Sequence, residues 1–438
     1  MTRPQQPGGG TLQRSVLPSG LRVVTKQLPG SRSAAVGMWV AVGSRDEPAA
    51  VAGAAHYLEH LLFKGTARRS AVAIAQEIDA VGGELNAFTT KEHTCYHAHV
   101  LDADLDLAVD LICDVLGDAL LDPGDVDLER GVVLEEIAMR DDDPEDLLHD
   151  EFCAALFGEH PLGRPVLGTE ESITGMSRDA LHRFYRRCYT PERMVLAATG
   201  NVTHSTVLAA VERSFGHRLT GCAQPAAPRC GQVTIADRRA LTFCPDSSEQ
   251  AHLMLGVLAM DRHDDRRYVL GVLNAALGGG MSSRLFQQVR EQRGLAYSVY
   301  STVDSYADTG SLSIYAGCSP GRLGEVATVV GDVLADLARD GLSASELARG
   351  KGQLRGGLVL GLEDVPSWMY RIGIAELNHG EHHIVDDELR RIDAVTTEQV
   401  GELARDLLRR PVTAAVVGPY AHAQDLPDEI AELSDDPG

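Results

Sequence analysis

Residues 52–66, AGAAHYLEHLLFKGT, carry two histidines and an acid inside an otherwise apolar run. On a helix, positions i, i+3, i+4 and i+7 share one face, and His56, Glu59, His60 and Phe63 form such a set. Two imidazoles one turn apart can both reach a single tetrahedral metal ion at about 2.0–2.1 Å. Glu59, next to His60, then lies beside the ion rather than on it. There it can act as general base on a zinc-bound water, whose pKa the metal lowers to about 7. This is the HxxEH arrangement, the reverse of HExxH. The competing reading is chance, since short patterns recur in a chain with 16 histidines, and a helical histidine in a core is commonly a hydrogen-bonded packing residue. Against it, Ala54, Leu58, Leu61 and Leu62 are apolar, and leaving three polar groups unpaired among them would be costly. A metal removes that cost.

Catalytic zinc usually holds three protein ligands and one open position. The best third donor lies in DLERGVVLEEIAMRDDDPEDLLHDEF, where Glu129, Val132, Val133 and Glu136 share a helix face. Glu136 is the candidate ligand, and Glu129, two turns earlier, a carboxylate that can orient a ligating histidine. Glu135 points about 100° away around the helix and reads as solvated.

The elements that must hold these residues occur twice. AAVGMWVAVGS from Ala34 echoes AHLMLGVLAM from Ala251, LERGVVLEE from Leu128 echoes LARGKGQLRGG from Leu347, and MVLAATGNV from Met194 echoes VTAAVVGPY from Val412. Small residues and prolines between the copies have linker composition. The expected organisation is a zinc-binding domain over 1–220, a linker over 221–232 and a homologous domain over 233–438. The expected class is α+β: two tandem domains, each a largely antiparallel sheet covered by helices. In the second copy, Ala348 and Arg355 stand where Glu129 and Glu136 stand in the first, and VLNAAL from Val272 replaces the His-Glu-His face. The scaffold recurs without its ligands.

The 438 residues exceed one core and suit two or three domains. A net charge of -23 leaves no basic surplus for nucleic acid. No apolar run reaches membrane-spanning length, the start lacks a signal-peptide core, and eight scattered cysteines suit a reducing compartment. The expected location is cytoplasmic, with no membrane partner.

On these residues the chain resembles the pitrilysin/insulinase family of zinc peptidases, and within it the processing-peptidase-like branch of mycobacterial type. The resemblance runs from LPSGLRVVT to AVVGPY, nearly the whole chain. It implies that His56, His60 and Glu136 bind zinc, that Glu59 is the base, and that Glu129 supports the site. GGELNAFTTKEHT resembles the family's substrate-binding sheet edge, implying that peptide adds as a strand along Asn86, Ala87 and Phe88. An ordinary glycine turn leading into an edge strand is the plainer reading. FQQVREQRGLAYSVYS resembles the family's Arg/Tyr pair, with Arg290 and Tyr297 donating to the scissile carbonyl or nearby substrate backbone. The family encloses its substrate with four such domains; this chain has two, which implies a homodimeric chamber whose partner supplies that pair. Asp146 and Asp150 match positions that receive a substrate arginine, although a solvated acidic face explains them equally well.

Other stretches carry less. LGGGMSSRLF lacks the lysine of a phosphate loop. His93, His97 and His99 lie on one strand face without an accompanying acid, and NHGEHHIV reads as a surface loop. The expected function is a zinc endopeptidase cutting unfolded or short peptides. The alternative is a non-catalytic structural or binding subunit of the same fold, of the kind that typically loses part of the motif.

Overall fold

A computed structural model describes residues 10–231, 233, 235, 239–382 and 384–431. The leader reading on residues 1–9 and the loop residue His383 lie outside these described residues. The first sheet contains β1 (Leu12–Val16), β2 (Arg22–Gln27), β3 (Ser33–Val40), β4 (Glu84–Thr89), β5 (Thr94–Leu101) and β6 (Met194–Gly200), in the order β1-β2-β6-β3-β5-β4. The second contains β7 (Ala240–Pro245), β8 (Ala251–Ala259), β9 (Ala296–Ser305), β10 (Gly310–Cys318) and β11 (Thr413–Gly418), in the order β7-β11-β8-β10-β9. In each sheet one neighbouring pair is parallel, β2 with β6 and β7 with β11, and the next three neighbours run antiparallel. The topology is therefore repeated, and the chain is α+β with two like halves.

The halves are not contiguous in sequence. One compact unit comprises Met1–Ile137, Pro165–Pro228 and Leu360–Asp386; the other comprises Ala138–Arg164, Arg229–Val359 and Asp387–Gly438. The division falls at Pro228, inside the expected linker, but each unit also takes a helical segment from the other half of the sequence. The reason lies in the central strands. β3 is buried at seven of its eight positions and β6 along its whole length, so both faces of the sheet need cover. One face packs on a helix of its own half, Leu105–Asp118, and the other on helix Val365–His379. In the second unit, helix Pro144–Phe157 packs in the same way on β7, β8 and β11.

Two glycines permit this close approach. A Cβ at Gly37 of β3 would lie 2.5 Å from Met369 Sδ, and one at Gly256 of β8 would lie 2.6 Å from Phe152 Cζ. Each stands mid-strand, where a glycine usually weakens a sheet unless another element comes close.

Helix α1 (Ala54–Leu62) carries His56, Glu59 and His60; it is followed by α2 (Ala71–Ala80), α3 (Leu105–Asp118) and α4 (Pro123–Asp142), the last of which carries Glu129 and Glu136. Glu47 caps α1, accepting from the backbone N–H of Gly53 at 2.7 Å and of Ala55 at 2.6 Å; a carboxylate there also suits the positive end of the helix dipole. Tyr57 donates its hydroxyl to the Val126 carbonyl and ties α1 to α4. Beyond α1, Asp114 of α3 is fully buried. It accepts from Thr66 Oγ1 at 2.9 Å, Arg68 Nε at 3.0 Å and Arg69 Nη1 at 2.8 Å. Removing a buried anion strands its donors, and Asp114→Ala is expected to lower stability by about 3 kcal/mol in urea unfolding. A loss within experimental error would show that Asp110, which also binds both arginines, holds the turn alone. Among the described residues no helix is long and apolar enough to cross a membrane.

Candidate metal centre

α1 presents His56 and His60 one turn apart, and α4 brings Glu136 against them. His56 Nε2 and His60 Nε2 are 3.4 Å apart, and Glu136 Oε2 lies 3.4 Å from each. Four ligands arranged tetrahedrally at about 2.0–2.1 Å must stand about 3.3–3.4 Å apart. Two donor atoms from α1 and one from the distant α4 thus form a triangle of the size one zinc ion requires. Glu136 Oε2 is buried with no hydrogen-bond partner, an arrangement that costs energy unless a cation is there. Two imidazoles and one carboxylate are also the donor set of a catalytic zinc site. The residues fit the metal, and they are the only such cluster among the described residues.

The remaining polar groups are graded around this triangle. Glu129 is almost completely buried on α4; its Oε2 lies 3.2 Å from His60 Nδ1 and its Oε1 2.6 Å from Lys64 Nζ. A carboxylate against Nδ1 keeps the proton there and leaves the Nε2 lone pair for a metal. His56 has no such partner on Nδ1. Burial, followed by the neighbouring His60, pushes the His56 pKa down to about 4, so this ring is neutral at ordinary pH. Glu59 stands outside the triangle. Thr89 Oγ1 donates to its Oε2 at 2.6 Å, while burial raises its pKa above the usual carboxylate value despite that bond. A base whose pKa is lifted toward neutrality takes a proton more readily.

Asn86, Ala87 and Phe88 lie on β4, which is last in its sheet and pairs on one side only, with β5. Asn86 Oδ1 accepts from the Ala87 N–H at 2.8 Å, and Phe88 packs among Trp39, His93, His97 and Tyr370. A hollow of about 480 Å³ beside the strand is lined in part by Phe63, Ile74, Ile78 and Leu85. His97 is taken up by the Tyr370 hydroxyl at 3.0 Å, and the strand histidines assemble no metal cluster among the described residues.

In the second unit, Arg290 and Tyr297 come together, the guanidinium 4.9 Å from the phenol ring. The register of β9 on β10 slips between Gly317 and Cys318, pairing their neighbours Ser298 and Ala296 and leaving Tyr297 as the extra residue. Such a bulge re-aims a side chain, and Tyr297 is 79% exposed. With Arg290 it lines an open hollow of about 560 Å³. Asp146 is exposed near the start of helix Pro144–Phe157. Asp150 already accepts from Arg140 Nη1 at 2.9 Å, so a substrate cation there would compete with an arginine of the chain itself. Sequence reasoning missed Lys64, Glu47 and Thr89. Lys64 was within reach of it, being one turn beyond His60; the other two depend on packing.

Comparison with known proteins finds two family matches along the chain. Residues 22–170 match the family described as insulinase, peptidase family M16, and residues 175–354 match the peptidase M16 inactive domain. An uncharacterised zinc protease of Mycobacterium leprae is 58% identical over 95% of this chain and 94% of its own length. One from Bacillus subtilis is 40% identical over 93% and 98% respectively. Crystal structures of a peptidase M16 inactive domain from Pseudomonas fluorescens and of a Helicobacter pylori protease share the fold. Each has a TM-score of 0.85 at 22% identity, covering 95% and 94% of this chain and 100% of the other.

Proposed function

Because the chain belongs to the M16, or insulinase, family of peptidases, we propose that it is a zinc-dependent endopeptidase of the HxxEH type acting on unfolded or short peptides. The observation that carries the reading is the 3.4 Å donor triangle with its buried, unpartnered Glu136 oxygen. His56, His60 and Glu136 would hold the ion. Zinc, when bound, supplies Lewis acidity that polarises a carbonyl and acidifies water.

The chain's own residues do the rest. Glu59 accepts the proton of the attacking water as its oxygen bonds to the scissile carbon, then gives that proton to the leaving amine as the C–N bond breaks. Glu129 holds His60 by Nδ1. The free edge of β4 takes the peptide as an added strand, main chain to main chain along Asn86, Ala87 and Phe88. That mode needs unpaired N–H and C=O groups on the substrate, which favours unfolded or short chains over folded ones. Arg290 and Tyr297, both donors, serve the substrate carbonyl or adjacent backbone. The chain works as a homodimer, in which a partner's Arg/Tyr pair completes each site, in a cytoplasmic setting that suits the scattered cysteines. A substrate arginine at Asp150 would share that carboxylate with Arg140, which already holds one of its oxygens.

Purified protein is expected to contain about one zinc per chain and to cleave an internally quenched unstructured peptide. Cleavage should stop with a chelator and return with added zinc. A protein that retains zinc yet cleaves no peptide from a broad unstructured set would instead be a binding or structural subunit.

A further inference from the structure

We propose that Thr89 is a positioning residue of this hydrolysis: its hydroxyl grips Glu59 by Oε2 and leaves Oε1 as the oxygen that receives the proton. The inference rests on the reading of Glu59 as the base. Thr89 Oγ1 lies 2.6 Å from Glu59 Oε2, the sole hydrogen bond to that carboxylate among the described residues. A hydroxyl has one proton to give. The other acceptor near it, Thr94 Oγ1, is at 3.4 Å. Thr94 is fully buried and its own proton goes to the Val42 carbonyl at 3.0 Å, so it cannot donate to Thr89 in return. The short charged bond therefore claims the Thr89 proton.

The backbone holds this hydroxyl in place. Thr89 and Thr94 are the closing pair of the β4–β5 hairpin. The turn beyond them is fastened by Thr90 N–H donating to the His93 carbonyl at 2.8 Å and His93 N–H donating to Thr90 Oγ1 at 3.2 Å. Thr89 is also the last residue of the edge strand that presents Asn86, Ala87 and Phe88. One strand thus sets both the peptide's main chain and the orientation of the base. In the reaction, water's proton moves to Glu59 Oε1 as its oxygen bonds to the carbonyl carbon. The same proton leaves with the amine nitrogen when the C–N bond breaks, and the Thr89 bond to Oε2 persists throughout.

The test compares Thr89→Val, which keeps the shape without the hydroxyl, with Thr89→Ser, which keeps the hydroxyl. Full-length protein is assayed on the internally quenched peptide, with zinc content and melting temperature measured for each variant. Thr89→Val is expected to lose about 10- to 100-fold in kcat, the effect of one hydrogen bond to a charged group. KM and zinc content should stay at the parent's values, with at most a modest drop in melting temperature from the unpartnered carboxylate, and Thr89→Ser should recover to within about threefold of parental kcat. Parental kcat in Thr89→Val, or equal loss in both variants, would overturn the proposal. So would a fall in kcat accompanied by lost zinc, which would make the effect structural. Glu59→Gln keeps the two failures apart: if that variant remains active the assignment of the base is wrong, whereas a dead Glu59→Gln beside a fully active Thr89→Val removes only the role of Thr89.

Discussion

Glu59→Gln is expected to lower kcat by about 10²–10⁴-fold while zinc content stays unchanged. The amide has the shape of the acid and can still accept the Thr89 hydroxyl, so the surroundings persist. It cannot take a proton from water. The donor triangle does not include Glu59, and metal content should therefore match the parent by elemental analysis. Burial is the main influence on this carboxylate and opposes its charge, so the neutral amide should melt no earlier than the parent. Loss of turnover with retained zinc and undiminished stability would separate a chemical role from a structural one. Full activity in the variant would refute the assignment.

Glu136→Gln should weaken zinc on the order of 100-fold or more, because a neutral amide replaces the only anionic donor of the triangle. Linkage makes this visible without any substrate. At a zinc concentration of about 100 times the parental Kd, the parent gains about 2.7 kcal/mol of stability, whereas a variant binding 100-fold more weakly gains only about 0.4 kcal/mol. Without zinc the two proteins should melt close together, since the Glu136 side chain is about one-third exposed. Melting curves with and without zinc check both expectations. Equal stabilisation of variant and parent would mean that Glu136 is not a ligand.

Local periodicity alone places side chains on shared helix faces. His56 and His60 share a face because a helix returns every 3.6 residues, and Glu129 and Glu136 share one for the same reason. The duplication, and the absence of ligands from the second copy, were legible as matched strand runs. What depends on packing between distant segments came from the folded chain. The 3.4 Å spacing of Glu136 from both imidazoles follows from how α1 and α4 meet through buried Tyr57. Thr89 reaches Glu59 because a hairpin end lands beside α1. The helices at 144–157 and 365–379 join the opposite half of the sequence because central strands buried on both faces need a second cover, and composition does not say which helix supplies it. Gly37 and Gly256 marked those approaches in the strand runs, yet a glycine records that something comes near, not what. Side-chain order along one helix is a local property of the backbone; contacts between elements are set by which apolar faces find each other, and that is settled only when the whole chain packs.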